Sequence, residues 1–468
     1  LIEAHRRRLP TQGRTRRVLA RFHVQQLRKE VIEQGETEHG HTQGAANGAL
    51  SADGFGVRHG GLFRAGLLSC AATLENRVRQ GNTNVARAPC MHKDAGMTSS
   101  DLAPAAPWID NHDELTTWLA PVGPTAVVGL DTEFMRRNTF YPQLALLQLA
   151  HEGRYALIDP VAFPLGDTLK PTFADHPVVT VMHSAGEDLE AMSPFLPDGP
   201  HTLFDTQIAA AFVGMGLGIS YRALVAELVG AELDKGETRS DWLQRPLTES
   251  QKLYATLDVV HLHPVHAILS ERLVERDRAA WHAEDCSRMK RRASQREGDP
   301  QPQRSFKAAA EWTPEKQALL RRVLRWRETT ARELDKPRSW LLEDAQALDL
   351  TSSLPRDAAN LDERVRGTRS LRSPQRKELF DLLQQPLESE EIESTAPVVG
   401  HPVGDAKRAI NEMRSVIDLL ATQLDLPPGL LCSRRSMEEY VMTGAWPEAL
   451  EGWRRGVLHE RLAGLLPR

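Results

Sequence analysis

Cysteine is scarce in this chain, at four among 468 residues, and no two form a Cys-x-x-Cys pair. That spacing excludes a thiolate zinc site and a secreted disulfide scaffold, and it fits a reducing cytoplasm. Long apolar runs are also missing. None approaches the roughly 18 residues a membrane-crossing helix needs, so no membrane association is expected. Charge of one sign does not dominate, because the formal net charge is only −5. Bulk attraction to nucleic acid is therefore absent, although a local basic groove would still serve, since counterion release depends on local contacts. Methionine does not occur before Met91.

The average conceals an asymmetry. Residues 1–96 hold 13 Arg and 2 Lys against 8 acidic residues, with little apolar periodicity. No compact apolar stretch marks a secretory signal, and Glu30, Glu33, Glu36 and Glu38 are foreign to an organelle presequence. The segment reads as a disordered leader or an upstream reading-frame extension, with Met97 as the expected start. A basic nucleic-acid-binding arm is the alternative.

From Trp108 onward the pattern becomes that of a folded α/β protein. Ala126–Leu130, Leu144–Leu149, Tyr155–Ile158 and Val178–Met182 are short apolar runs interleaved with helical patterns starting near Ser184, Thr206, Tyr221 and Thr248. This predicts an α/β core with a mixed sheet over 97–295. Arg291–Ser305 reads as a linker. Amphipathic helices then define a small helical unit over 306–386, and a second Glu-, Ser- and Pro-rich linker leads to another over 403–468. Few contacts are expected to cross the first linker, so a chain cut near residue 306 is expected to fold alone.

Three short stretches carry chemistry. Asp131 and Glu133 are two apart, and on a strand both point to one face. Taken alone such a pair reads equally well as a solvated strand end. Ser184-Ala185-Gly186-Glu187 has the form of a capping box that places Asp188 in the first turn of a helix, where it serves the dipole as readily as a ligand site. Thr248-Glu249-Ser250-Gln251 is a second capping box, and it puts Tyr254 and Asp258 one turn apart on a shared face. Together the set says more. Two carboxylates about 4 Å apart repel by about 4 kcal/mol at an effective dielectric near 20. Four in one cleft are tolerable only with cations, and a purely hard-oxygen set selects Mg²⁺ or Mn²⁺ over zinc. Two such ions suit in-line hydrolysis of a phosphodiester, and the tyrosine hydroxyl is placed to orient the attacking water.

The segments Val128 to Phe134 (VGLDTEF), Tyr141-Pro142-Gln143-Leu144, Phe204-Asp205-Thr206-Gln207 and Leu233 to Thr248 (LDKGETRSDWLQRPLT) closely resemble bacterial ribonuclease D over roughly residues 108–290. The resemblance implies a ribonuclease H-like exonuclease domain. In it Asp131, Glu133, Asp188 and Asp258 hold two divalent metals, and Tyr254 positions the nucleophile. The histidine branch of that superfamily carries its base where this chain has Leu253. Residues Leu324 to Arg327 with Asp335-Lys336-Pro337, and Leu424 to Leu431 with Gly452-Trp453-Arg454, resemble two copies of the helical HRDC domain shared with RecQ-type helicases. A purely structural helical cap is the alternative for both.

The implied activity is a 3′→5′ exoribonuclease that trims extra 3′ nucleotides from tRNA precursors, as a monomer in the cytoplasm, releasing nucleoside 5′-monophosphates. A DNA exonuclease of the same fold and a catalytically silent RNA-binding scaffold are the alternatives. Lys235, Arg239, Trp242 and Arg245 are expected to contact RNA phosphates, or else to form a charged loop anchored by its tryptophan. Phe134 and Tyr141, with Phe140 between them, are placed to stack on a terminal base, or else belong to the core. Asp205 is expected to support the site structurally, and His261, His263 and His266 to pack or lie on a helix surface.

Overall fold

The computed structural model describes residues 104–467 apart from 234, 235, 238, 239 and 296, so the leader expected over 1–96 lies outside the described residues. Six strands form one mixed sheet in the order β1-β4-β3-β2-β5-β6. They are β1 (Trp108–Ile109), β2 (Val127–Met135), β3 (Gln143–His151), β4 (Arg154–Ile158), β5 (Val179–Met182) and β6 (Thr202–Asp205). β2 to β4 are antiparallel neighbours, whereas β1, β5 and β6 join in parallel. This is the mixed α/β architecture that the apolar runs predict. β1 has only two residues, and β6 has only Leu203 and Phe204 as apolar residues, so neither shows as a run.

Helices cover both faces. On one side α1 (His112–Leu119), α2 (Lys170–Phe173), α3 (Gly186–Met192) and residues of a later helix bury Leu115, Phe173, Leu189 and Cys286 against Val128, Leu130, Leu147 and Leu149. The other side lies beneath α4 (Thr206–Phe212), α5 (Tyr221–Leu228), α6 (Glu249–Val260) and α7 (Leu262–Glu275). The long α8 (Ala279–Ala293) follows. Successive β2 residues alternate between these faces, as a pleated strand requires.

The rest of the described chain is helical and repeats itself. α9 (Pro314–Leu334), α10 (Arg338–Leu341) and α11 (Asp344–Ser352) lead to α12 (Ala358–Arg364), α13 (Ser373–Gln384) and α14 (Ser389–Glu393). Then come α15 (Gly404–Leu424), α16 (Pro428–Leu431), α17 (Arg434–Thr443) and α18 (Trp453–Ala463). α9, α10 and α11 each start 90 residues before α15, α16 and α17. Both 21-residue helices end on an aspartate in the left-handed region, Asp335 at φ 48° and Asp425 at φ 51°, a conformation that Asp tolerates better than most residues.

Both aspartates dock on the α/β part. Asp335 Oδ1 accepts the backbone N–H of Phe140 at 2.9 Å and of Tyr141 at 3.1 Å, in the turn joining β2 to β3. Phe140 is buried with Ala331 and Leu341, under the guanidinium groups of Arg332 and Arg338. Asp425 pairs with Arg276 at 2.6 Å. Asp335→Ala is therefore expected to cost about 2 kcal/mol, the range for charged hydrogen bonds, while Asp335→Asn keeps the acceptor and the backbone tolerance and loses far less. Chemical-denaturation midpoints of the two variants check this, and equal losses would refute it.

The expected linkers are not bare connections. α8 continues to Ala293, Gln303 is fully buried, and its Nε2 donates to Ala396 O at 2.7 Å. Val398 N donates to Gln317 Oε1 at 2.8 Å and its side chain joins the core of the first helical segment. The expectation of few crossing contacts is also overturned. Phe212, Leu269 and Leu273 share one apolar cluster with Met413, Leu420 and Trp453.

Candidate functional site

Asp131-Thr132-Glu133 lies within β2, and strand alternation separates their roles. Asp131 and Glu133 face one way, while Thr132 turns back and its hydroxyl donates to Asp188 Oδ1 at 2.5 Å. That bond ties the strand to the first turn of α3. α3 does not start as the sequence suggests. Ser184 takes a left-handed φ of 60°, the N-cap is Ala185, and no side-chain cap forms. Asp205 fills the role instead. Its Oδ2 accepts Ala185 N–H at 2.8 Å, while Oδ1 accepts the N–H groups of Gln207 and Ile208 at 2.9 Å each. One fully buried carboxylate thus caps α4 and anchors the start of the helix bearing Asp188. The second predicted box is present. Thr248 and Gln251 exchange their bonds at the head of α6, and α6 presents Tyr254 and Asp258.

The five residues converge. Burial first, then Asp188, Asp258 and Glu133, pushes Asp131 well above the carboxylate range. Glu133 is pushed to about 9 by burial and then by Asp258 and Asp188. Burial raises Asp188 to about 6 against the pull of Thr132, and Asp258 to about 7 against a hydrogen bond from Tyr254. The Tyr254 hydroxyl is itself raised, by burial and then by Asp258, Glu133 and Asp131. Carboxylates that raise one another across a desolvated cleft are short of positive charge, and the all-oxygen donor set fits hard divalent cations. Among the described residues, no three His, Cys, Asp or Glu side chains stand close enough to hold an ion by themselves. The donors therefore suit ions that keep waters and take substrate phosphate oxygens as ligands, the usual habit of Mg²⁺.

These shifts have a thermodynamic consequence. A carboxyl whose folded pKa is raised binds protons that the unfolded chain has released, so stability falls as pH rises toward the folded value. His266 is pushed the other way, to about 4, but its influence is complete above its ordinary value near 6.5. Between pH 7 and 9 Glu133, pushed to about 9, dominates this site's contribution. Metal-free stability is expected to fall across that interval, by at most about 1.4 kcal/mol per pH unit for each proton, and the melting temperature with it. Saturating Mn²⁺ is expected to flatten the profile. A metal-free profile already flat from pH 7 to 9 would count against mutual charging of the cleft.

The expected RNA contacts divide. Trp242 is only 3% exposed and packs with Leu146, Leu157 and Leu247, so it has no free face for a base. Arg245 grips the buried Asp159 with two bonds, at 2.6 and 2.7 Å, and donates to Ala145 O. Its charge is already matched, which removes both residues from the RNA-contact set. Lys235 and Arg239 lie outside the described residues. Tyr141 is 39% exposed and Phe134 is half-buried, whereas Phe140 belongs to the core. His263 bonds Val127 O and His266 packs on Phe204, in line with packing roles.

Two residues of the site escaped the sequence reading. Thr132 lies between two candidate ligands, and strand alternation is the signal that sets it apart. Gly236 lies against Tyr254, where a Cβ would come within 1.7 Å of ring atom Cδ2. Any side chain there displaces the tyrosine, and no local pattern announces it.

Residues 106–274 match a family model described as a 3′-5′ exonuclease. A ribonuclease D of Xanthomonas oryzae pv. oryzae is 40% identical over 363 residues, covering 77% of this chain and 98% of that protein. The ribonuclease D of Pseudomonas paraeruginosa is 34% identical over 387 residues, covering 78% and 98%. Among solved structures, Escherichia coli RNase D, described as an exoribonuclease involved in structured RNA processing, superposes with a TM-score of 0.66 at 27% identity. That match covers 77% of this chain and 98% of the other.

Proposed function

The chain belongs to the ribonuclease D family, and from that premise we propose that this 3′→5′ exoribonuclease trims extra 3′ nucleotides from tRNA precursors, releasing nucleoside 5′-monophosphates. The observation that carries the reading is the convergence of Asp131, Glu133, Asp188 and Asp258 from three separate elements, each raised by burial and sharing one another's charge. These four would hold two divalent cations, Mg²⁺ or Mn²⁺, which supply charge neutralisation and an activated water at the scissile phosphate. Thr132 and Asp205 keep Asp188 in place through their bonds to it and to the backbone at Ala185. Tyr254, held by Asp258 on one side and Gly236 on the other, orients the attacking water through its hydroxyl. Its one O–H is given to Asp258, so the hydroxyl holds the water by accepting a hydrogen bond from it.

Substrate choice rests on the surroundings of the cleft. The exposed Tyr141 and the half-buried Phe134 follow the first acidic pair and offer rings to a terminal base. Lys235 and Arg239, in the same segment of the sequence, would supply positive charge for phosphate contact. The repeated helical segments are the HRDC-type domains, and the first carries exposed Arg366, Arg369 and Arg372, which form no ion pair among the described residues. Arg369 lies 5.1 Å over the Trp340 ring. A cationic and aromatic surface of that kind suits the backbone of a structured RNA. The test is purified protein with Mg²⁺ on 3′-extended tRNA, unstructured RNA and single-stranded DNA. Faster trimming of the tRNA supports the reading, and equal or faster digestion of DNA overturns it.

A further inference from the structure

Gln148 lies on β3 directly opposite Asp131 on β2. In an antiparallel pair such residues share a face, with Cβ atoms about 4.5–5.5 Å apart. The same-face neighbours of Gln148, Leu146 and Ala150 on its own strand and Leu157 on β4, are apolar and buried. Gln148 is fully buried too, and neither Oε1 nor Nε2 has a hydrogen-bond partner. An unpaired buried amide is destabilising, so a leucine here would serve the fold better. A second orphan stands nearby. The buried Tyr221 hydroxyl lies beside the His261 backbone without reaching bonding geometry, and it feels the charges of Asp258 and Asp131. Two elements thus leave polar groups unpaired on the protein side of the same carboxylate.

We propose that Gln148 is a positioning residue for Asp131, its Nε2–H donating to the Asp131 carboxylate when that carboxylate faces a divalent cation. A carboxylate ligand needs one oxygen lone pair for the cation and a fixed plane to offer it. A donor from the neighbouring strand supplies that plane without competing for the cation. Residues that orient metal ligands in this way influence affinity by about 10- to 100-fold. In the metal-free fold the amide has no partner, so the cost of leaving it unpaired is carried there and recovered on binding.

The proposal rests on Asp131 being a metal ligand, and the experiment separates the two claims. Mn²⁺ alone is titrated calorimetrically into the full chain and into Gln148→Met, Asp131→Asn and the double variant, with metal-free melting temperatures measured alongside. Gln148→Met is expected to melt no lower than the parent without metal, and to bind Mn²⁺ about 10-fold more weakly. In the Asp131→Asn background the same substitution is expected to change affinity by less than about twofold, since its partner has gone. Gln148→Leu, of different shape, is read the same way, so a misfit of one side chain does not decide the matter. Unchanged Mn²⁺ affinity in Gln148→Met, full additivity in the double variant, or failure of both Gln148 variants to fold overturns the positioning role. If Asp131→Asn itself binds Mn²⁺ normally, the metal reading fails instead.

Discussion

Asp131→Ala is expected to lower the exonuclease rate by about 10³-fold or more, equivalent to about 4 kcal/mol of transition-state stabilisation. The size follows from its setting. Asp131 lies with Glu133, Asp188 and Asp258 in one desolvated cleft, so removing it would take away one of the four proposed metal ligands. The fold should tolerate the change well, because the metal-free protein loses a carboxyl that burial and its neighbours disfavour. A metal-free melting temperature equal to or above the parent's is therefore expected beside the lost activity. Tyr254→Phe keeps the ring against Gly236 and Trp242 and removes only a hydroxyl, so it should retain more activity than Asp131→Ala. Single-turnover trimming of a 3′-extended RNA at saturating Mg²⁺ measures both. Near-parental rates for Asp131→Ala would exclude the two-metal reading.

What the sequence made legible follows from how narrowly chemistry restricts residue type. Hard cations favour carboxylate oxygens, so Asp131, Glu133, Asp188 and Asp258 stand out by residue type and by the capping boxes and strand that carry them. Supporting roles are looser. The bond expected from Ser184 is replaced by one between Asp205 and Ala185, twenty residues before it, because Ser184 itself takes the left-handed turn. Trp242 and Arg245 read as an RNA-contact pair because an aromatic beside a basic residue looks the same facing solvent or facing Asp159. Docking surfaces are the least legible of all. Gly452-Trp453-Arg454 reads as one signature of a helical domain. Its use depends on α8, where Asp285 lies 169 residues before Arg454.

Arg454→Ala is expected to destabilise the protein by about 3–5 kcal/mol, the usual loss when one partner of a buried ion pair is removed. Arg454 bonds both oxygens of Asp285, at 2.6 and 2.7 Å, and the two side chains are 11% and 8% exposed. Asp285 would keep only the Trp453 indole N–H as a donor. The same contact explains its neighbours. Trp453 stacks on Trp281 at 4.6 Å with the rings 12° apart, and Gly452 leaves room for Glu284, which would otherwise meet a Cβ at 1.7 Å. Behind them Arg278 donates to Phe212 O and to Leu424 O. A chain cut before α15 loses these partners together and bares Phe212 and Leu273. It is expected to aggregate or melt far below the parent, against the sequence expectation that a chain cut near residue 306 folds alone. Replacing the pair with Asp285→Leu and Arg454→Met should recover much of the stability lost in Arg454→Ala, since apolar packing often matches a buried ion pair. Tryptophan fluorescence during urea unfolding measures these midpoints. A truncated chain with the parent's unfolding midpoint and full activity on unstructured RNA would show that the last helices are a detachable RNA-binding module.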